Sequence, residues 1–296
     1  MGSPPQSFQG QSGLVYSVER ILQERPEISR YTVSKDNYTY YQDIYERLRS
    51  CENLRVACDS VSDPPIFIYK YLDDHLLSFA QENPELPIIK RILKDALRGL
   101  AALHDQDIVH TDIKPNNIFI FIQRRGSEVT EVRLADLEDS AIVPQGSAII
   151  GRQMGNWMWR SPEAHAEGPM NKPSDMFSFG IVCLYAVLKR VILYVGEEEI
   201  GEGEEVLAHV IERQISFFAD KEGIMAFLKY LGDSPWVQIF SVIKDGFNAE
   251  NRRKPLYLWK NVDPDLRDLI GKLTSFDPTK RLRAREALCH PWFEDV

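Results

Sequence analysis

The densest chemistry in the chain lies in Val109-His110-Thr111-Asp112-Ile113-Lys114-Pro115-Asn116-Asn117-Ile118. Asp112 can orient a hydroxyl and accept its proton. Lys114, two residues on, can neutralise a phosphate oxygen. Asn117, five residues on, offers a side-chain oxygen to a hard cation. Pro115 stiffens the segment and keeps it from becoming a helix. A second hard-oxygen donor follows in Leu134-Ala135-Asp136-Leu137-Glu138, where Asp136 ends an apolar run. Phosphoryl transfer needs these parts: phosphates held, metal ions held, a nucleophile oriented.

The elements that must position these residues are legible from periodicity. Residues 86–104 place Ile89, Ile92, Leu93, Ala96, Leu97, Leu100 and Leu103 at helical spacing and run into the chemical segment. Residues 117–122 and 131–135 read as strands, with a turn at 123–130. Residues 136–163 lack periodicity and form a long loop, which in a compact domain is usually functional. Helices are expected at 177–188, 206–218, 224–231, 264–276 and 283–290. The glutamate-rich stretch 196–205 reads as a solvated loop. Upstream, residues 1–9 read as loose. Strands are expected at 14–18, 31–35, 54–58 and 65–69, and a helix at 37–50.

The 296 residues suit one large or two small domains, and 44% apolar with 27% charged residues is ordinary soluble composition. A net charge of −9 argues against nucleic-acid binding. Cys51, Cys58, Cys183 and Cys289 lack metal-ligand spacing and read as reduced thiols in an intracellular protein, cytoplasmic or nuclear. The N-terminus lacks a basic-then-apolar run, and Gln6 stands where a myristoylated Gly2 wants Ser or Thr. The longest apolar run, 177–188, is too short for a span of about 20 residues, so no membrane is expected.

The central segment resembles the catalytic loop of protein kinases, H-R-D-x-K-x-x-N, with Thr111 in place of Arg. Asp136-Leu137-Glu138 resembles the family's D-F-G, with Glu138 for Gly. That replacement leaves two readings: Glu138 helps hold a cation, or it disturbs the loop. Gly155-Asn156-Trp157-Met158-Trp159-Arg160-Ser161-Pro162-Glu163 is similar to G-T-x-x-Y-x-A-P-E, whose Glu pairs with an Arg that Arg281 matches. Asp175 in Ser174-Asp175-Met176-Phe177-Ser178-Phe179-Gly180 resembles the D-x-W-x-x-G start of the central helix, where it would bond the catalytic-loop backbone. The resemblance implies an α+β, bilobal fold: an abbreviated strand-rich N-lobe over residues 1–71 and a large helical C-lobe over 72–296.

It also implies site residues. Asp112 and Lys114 would be catalytic, and Asn117 and Asp136 would hold Mg²⁺. Glu163, Asp175 and Arg281 would be structural. For ATP, Gly10, Gly13 and Val15 resemble part of the glycine loop, with Phe8 at its first glycine. Lys35, or Ser34 in another register, stands at the phosphate-contacting strand position, with Asp43 or Glu46 as its helix partner. Tyr69 and Tyr71 flank the hinge, and Asp74 would reach a ribose hydroxyl. Lys114 favours the serine/threonine protein-kinase branch over small-molecule kinases, and Thr111 argues against activation by loop phosphorylation. Thr111, Leu137-Glu138 and Trp159-Arg160 together resemble divergent kinase-like proteins of filamentous fungi. The implied function is ATP- and Mg²⁺-dependent phosphorylation of Ser or Thr on a protein substrate by a monomer. The alternatives are a pseudokinase that binds a signalling partner without phosphotransfer, and a small-molecule kinase. The abrupt N-terminus leaves open that the chain is a piece of a longer protein.

Overall fold

A computed structural model describes residues 7–18, 35–123 and 128–296. Its N-terminal part contains short antiparallel hairpins and one helix. Strands β1 (Ser7–Gln9) and β2 (Val15–Ser17) pair with Phe8 opposite Tyr16 around a glycine turn. Helix α1 (Lys35–Leu48) follows, then β3 (Asp59–Ser62) and β4 (Pro65–Ile68), paired with Val61 opposite Ile66. Residues 7–9 are therefore a strand rather than loose chain. The strand expected at 31–35 falls largely outside the described residues. Its last residue, Lys35, opens α1 and is not in a strand. Residues 54–58 form no strand of their own. Leu54 makes one parallel bridge to Leu134, and Arg55 N donates to Leu134 O at 2.8 Å.

Strand β5 (Asp74–His75) leads into the short helix α2 (Leu76–Phe79) and then α3 (Leu86–Asp105). Pro87 in the first turn suits the start of α3, where an amide hydrogen would be orphaned anyway. One face of α3 buries Ile89, Ile92, Leu93, Ala96, Leu97 and Leu100, as its spacing requires. Strand β6 (Ile108–Val109) enters the chemical segment, and β7 (Ile118–Gln123) and β8 (Glu128–Leu134) leave it as a hairpin. The sheet order is β5-β7-β8. β6 pairs with β9 (Ala141–Ile142), which lies within the otherwise irregular 136–163 stretch.

The rest is helical: α4 (Pro162–His165), α5 (Lys172–Leu188), α6 (Val206–Phe218), α7 (Lys221–Leu231), α8 (Trp236–Asp245), α9 (Pro264–Leu273) and α10 (Ala284–Leu288). α5 is buried on nearly every side and is the axis of the helical lobe. Asn171 caps its N-terminus, accepting from Lys172 N at 2.6 Å, and Asp175 sits in its first turn, where a carboxylate suits the helix dipole. A main core joins α1, α3, β7, β8, α5 and α9. A second cluster of Ile211, Ile215, Phe227, Phe240 and Phe276 holds α6, α7 and α8 together. No described helix is long and apolar enough to cross a membrane.

Candidate active site

Asp175 organises the segment after β6. Its two oxygens accept from His110 N at 2.8 Å and Thr111 N at 2.9 Å, and His104 Nε2 lies 3.0 Å from the first. A buried carboxylate at the start of α5 thus fixes the loop backbone, and Thr111 takes up a left-handed φ of 71°. His110 donates from Nε2 to Ala135 O at 2.9 Å and accepts at Nδ1 from Asp112 N at 3.3 Å, a single consistent tautomer. The network leaves Asp112 in a defined pose, 8% exposed.

The Asp112 carboxylate is bracketed from two sides. Oδ1 accepts from Asn156 N at 2.9 Å, and Oδ2 meets Lys114 Nζ at 2.5 Å and Asn117 Nδ2 at 3.4 Å. Asn117 Nδ2 also donates to Asp112 O at 2.9 Å, which directs its side-chain oxygen away from Asp112. Asn117 O accepts from Ala135 N at 2.8 Å, so the residue before Asp136 is tied to Asn117, the other candidate metal donor. Asp136 leaves β8 in the left-handed region, φ 65° and ψ 54°, with an exposed side chain. Asp tolerates this conformation better than bulkier residues. One amide oxygen and one carboxylate are hard donors of the kind Mg²⁺ uses, since it keeps waters and takes the rest of its shell from phosphates. The donor set fits that ion. Among the described residues there is no larger acidic or histidine cage.

Glu138 has a definite position. Tyr69 donates to its Oε1 at 2.8 Å, Tyr45 lies 3.5 Å from the same oxygen, and the two tyrosine hydroxyls are 2.6 Å apart. Tyr41 donates to the Glu138 backbone oxygen. Burial beneath these rings raises the carboxyl above the usual range, although the residue keeps an exposed edge. Burial raises both hydroxyls too, Tyr45 and Tyr69, with Glu138 adding to the effect. Arg55 stacks over Tyr69 and Phe119 at 5.1 and 4.8 Å, behind this cluster. Helix α1 is therefore tied to Asp136-Leu137-Glu138 by tyrosines. The expected acidic partners face elsewhere: Asp43 pairs with Arg47 and Glu46 with Arg49, both at 2.8 Å on the exposed side of α1. Ser34 lies outside the described residues.

The remaining nucleotide candidates are placed less simply. The turn at Gly10 and Gly13 exists, and Gly13 has a φ of 86° that favours glycine. Its amides are committed within the chain, however. Gly10 N donates to Leu14 O, Gln11 N to Ser60 O, Ser12 N to Asp59 Oδ1 and Gly13 N to Gly10 O, at 2.8 to 3.1 Å. Ser12 Oγ and Tyr16 OH also donate to Asp59, which holds its carboxyl down at about 2, Ser12 contributing most. In this arrangement the turn presents no amide cradle to a phosphate. Val15 is 69% exposed. At the hinge, Arg55 donates from Nε and Nη2 to Lys70 O, at 3.3 and 3.2 Å, and Tyr71 is exposed. Asp74 accepts from His75 N at 2.8 Å and from Ser78 Oγ, so its carboxylate starts α2.

The far end of the 136–163 loop is anchored in the helical lobe. Arg281 and Glu163 form a two-pronged pair at 2.5 and 2.9 Å, with side chains 0% and 1% exposed. Ser174 Oγ adds a bond to Glu163 at 2.7 Å, and Arg281 donates to Pro173 O and Ser275 O and lies over Phe177. Gly155, φ 76°, packs against the catalytic segment: a Cβ there would meet Thr111 O at 2.5 Å. The tyrosines of α1, Asp59 and Gly155's contact were not identified as site residues from sequence. Only the Tyr41–Tyr45 spacing at i, i+4 hinted at a shared face.

A model of the protein kinase domain matches residues 52–293, beginning downstream of the glycine turn and α1. Cell division control protein 2 homolog 3 of Trypanosoma brucei brucei is 26% identical over 236 residues, 77% of this chain and 68% of the relative. Cyclin-dependent kinase 4 of Xenopus laevis is 26% identical over 233 residues, 77% of this chain and 65% of the relative. With the Asp112–Asn117–Asp136 constellation, the Asp175 tether and the Glu163–Arg281 pair in one bilobal fold, the chain belongs to the protein kinase family.

Proposed function

We propose that the chain is an ATP- and Mg²⁺-dependent protein kinase acting on Ser or Thr. One observation carries the reading: Asp112 is held at the mouth of its loop by Asn156 N, with Lys114 and Asn117 on its other oxygen, and Asn117 is tied to Ala135, the residue before Asp136. Asp112 orients the substrate hydroxyl and takes its proton. Lys114, on the other oxygen of Asp112, offsets charge on the moving phosphoryl group. Asn117 and Asp136 would hold Mg²⁺, which supplies charge neutralisation at the phosphates. Thr111 donates to Asp139 O at 3.0 Å, so the loop is fixed without a phosphorylated residue. The substrate is a protein and the enzyme a monomer working inside the cell. In this reading the glycine turn exchanges Asp59 and Ser60 for nucleotide phosphate as it binds.

Transfer of label from γ-labelled ATP to a mixed Ser/Thr/Tyr peptide pool, followed by phosphoamino-acid analysis, tests the proposal. Label on Ser and Thr that disappears in Asp112→Asn supports it. An unlabelled pool and unlabelled protein overturn it. A second reading, a pseudokinase serving as a binding scaffold, is favoured by the committed amides of residues 10–13. A thermal titration separates the two, because ligand at 100 times its Kd stabilises by about 2.7 kcal/mol. No shift at millimolar Mg-ATP selects the scaffold.

A further inference from the structure

Away from the catalytic segment, a cavity of about 610 Å³ opens between the end of α5, the face of α6 and residues 254–261. Four cations line it, Arg190, Arg213, Lys254 and Lys260, in a chain of net charge −9. Arg213 is spoken for by Glu199. Among the described residues, Arg190, Lys254 and Lys260 have no carboxylate partner. The lining is also aromatic: Phe217 and Trp259 meet edge to face at 5.1 Å, and Arg190 lies over Trp259 at 5.7 Å. The cationic segment is built in place. Lys254 N donates to Ser216 Oγ at 2.8 Å, and Trp259 Nε1 donates to Lys254 O at 2.9 Å.

We propose that this cavity binds a phosphorylated segment of a protein partner. The phosphate sits among Arg190, Lys254 and Lys260, and a neighbouring apolar side chain lies on the Phe217–Trp259 wall. Three unpaired cations suit a group with about two charges and three acceptor oxygens better than a single carboxylate. The volume holds a phosphate together with a side chain, more than a bare anion needs. Leu258, 59% exposed, also lines the cavity and offers the flanking chain an apolar contact. The site is separate from the phosphotransfer machinery and does not depend on it.

Fluorescence anisotropy of the full chain with a labelled short-peptide pool, carrying one fixed phosphoserine beside leucine, tests this. The phosphopeptides should bind at least about tenfold tighter than matched serine peptides. The double variant Lys254→Glu/Lys260→Glu should lose at least about tenfold of that affinity, with an unchanged melting temperature. Equal binding of serine and phosphoserine pools would overturn the proposal. So would full binding by the double variant, competition by inorganic phosphate at the same concentration as the phosphopeptide, or capture by anionic lipid vesicles in place of peptide.

Discussion

Replacing Arg281 with Met tests the anchor on which the long loop depends. Glu163 is fully buried, and burial alone would raise its carboxyl. Arg281 and Ser174 outweigh that and hold it below the usual carboxylate range. Arg281→Met keeps the volume but leaves Glu163 as a buried charge with one remaining hydroxyl donor. It also removes the bonds to Pro173 O and Ser275 O and the contact over Phe177. Breaking a buried pair from one side costs about 3–5 kcal/mol. For a chain of this size that is a fall in Tm of roughly 10 °C. The pH dependence gives the sign. In the wild type the contribution is fully present above the unfolded value of about 4.3 and lost as the pH falls through the lowered folded value. In the variant the unpartnered carboxyl is raised, so its penalty fades as the pH falls. Urea unfolding of both proteins should therefore show a gap that is largest near neutrality and narrows toward pH 4. Adding Glu163→Met should recover much of the loss. A gap under about 1 kcal/mol, or one independent of pH, would refute the assignment.

Other substitutions probe the site and its supports. Gly155→Ala places a methyl against Thr111 O and adds left-handed strain of about 1–2 kcal/mol, so kcat should fall at least about tenfold with KM little changed. Steady-state kinetics on a peptide substrate would show it. Glu138→Gln removes a carboxyl that burial keeps protonated more readily than in the unfolded chain. Its stability relative to wild type should therefore be unchanged below about pH 4.3 and rise with pH above it, read from Tm against pH. His165 is fully buried, neither ring nitrogen has a protein partner, and burial, then Arg160, bring it down to about 3. Its neutral form stabilises above about pH 6.5, and that contribution falls away on acidification. His165→Leu should remove a loss of about 2 kcal/mol between pH 7 and pH 5.

What could be read from the sequence divides by physical cause. The helix over 86–105, the strands around Asn117 and Asp136, and the Glu163–Arg281 pair follow from long apolar periodicity and from motifs whose members keep their order. The N-terminal part is where expectation and structure part. Its strands are three or four residues long, too short for alternation to set them, and hairpin pairing decides them instead. Lys35 lies in a helix because a helical pattern in Tyr38, Tyr41, Ile44, Tyr45 and Leu48 claims that end of the chain. Asp43 and Glu46 fall on the outer face of the same helix, which the 3.6 period could have shown. The Tyr69–Glu138 and Ser12–Asp59 bonds join residues 69 and 47 positions apart, and no local pattern announces such pairings. Helix α8 has no counterpart among the helices expected from sequence, although Trp236, Phe240 and Ile243 repeat at helical spacing.

Asp112 is the residue on which the functional account turns, and a comparison of binding with turnover tests it most directly. Mg-ATP affinity and phosphotransfer rate should be measured together on the wild type and Asp112→Asn. Nucleotide affinity should be within about twofold in both proteins, and kcat should be lower by about 10²–10⁴ in the variant, the range expected for loss of a positioned base. A variant that turns over at the wild-type rate, or a wild type that binds Mg-ATP and never transfers its phosphate, would contradict it.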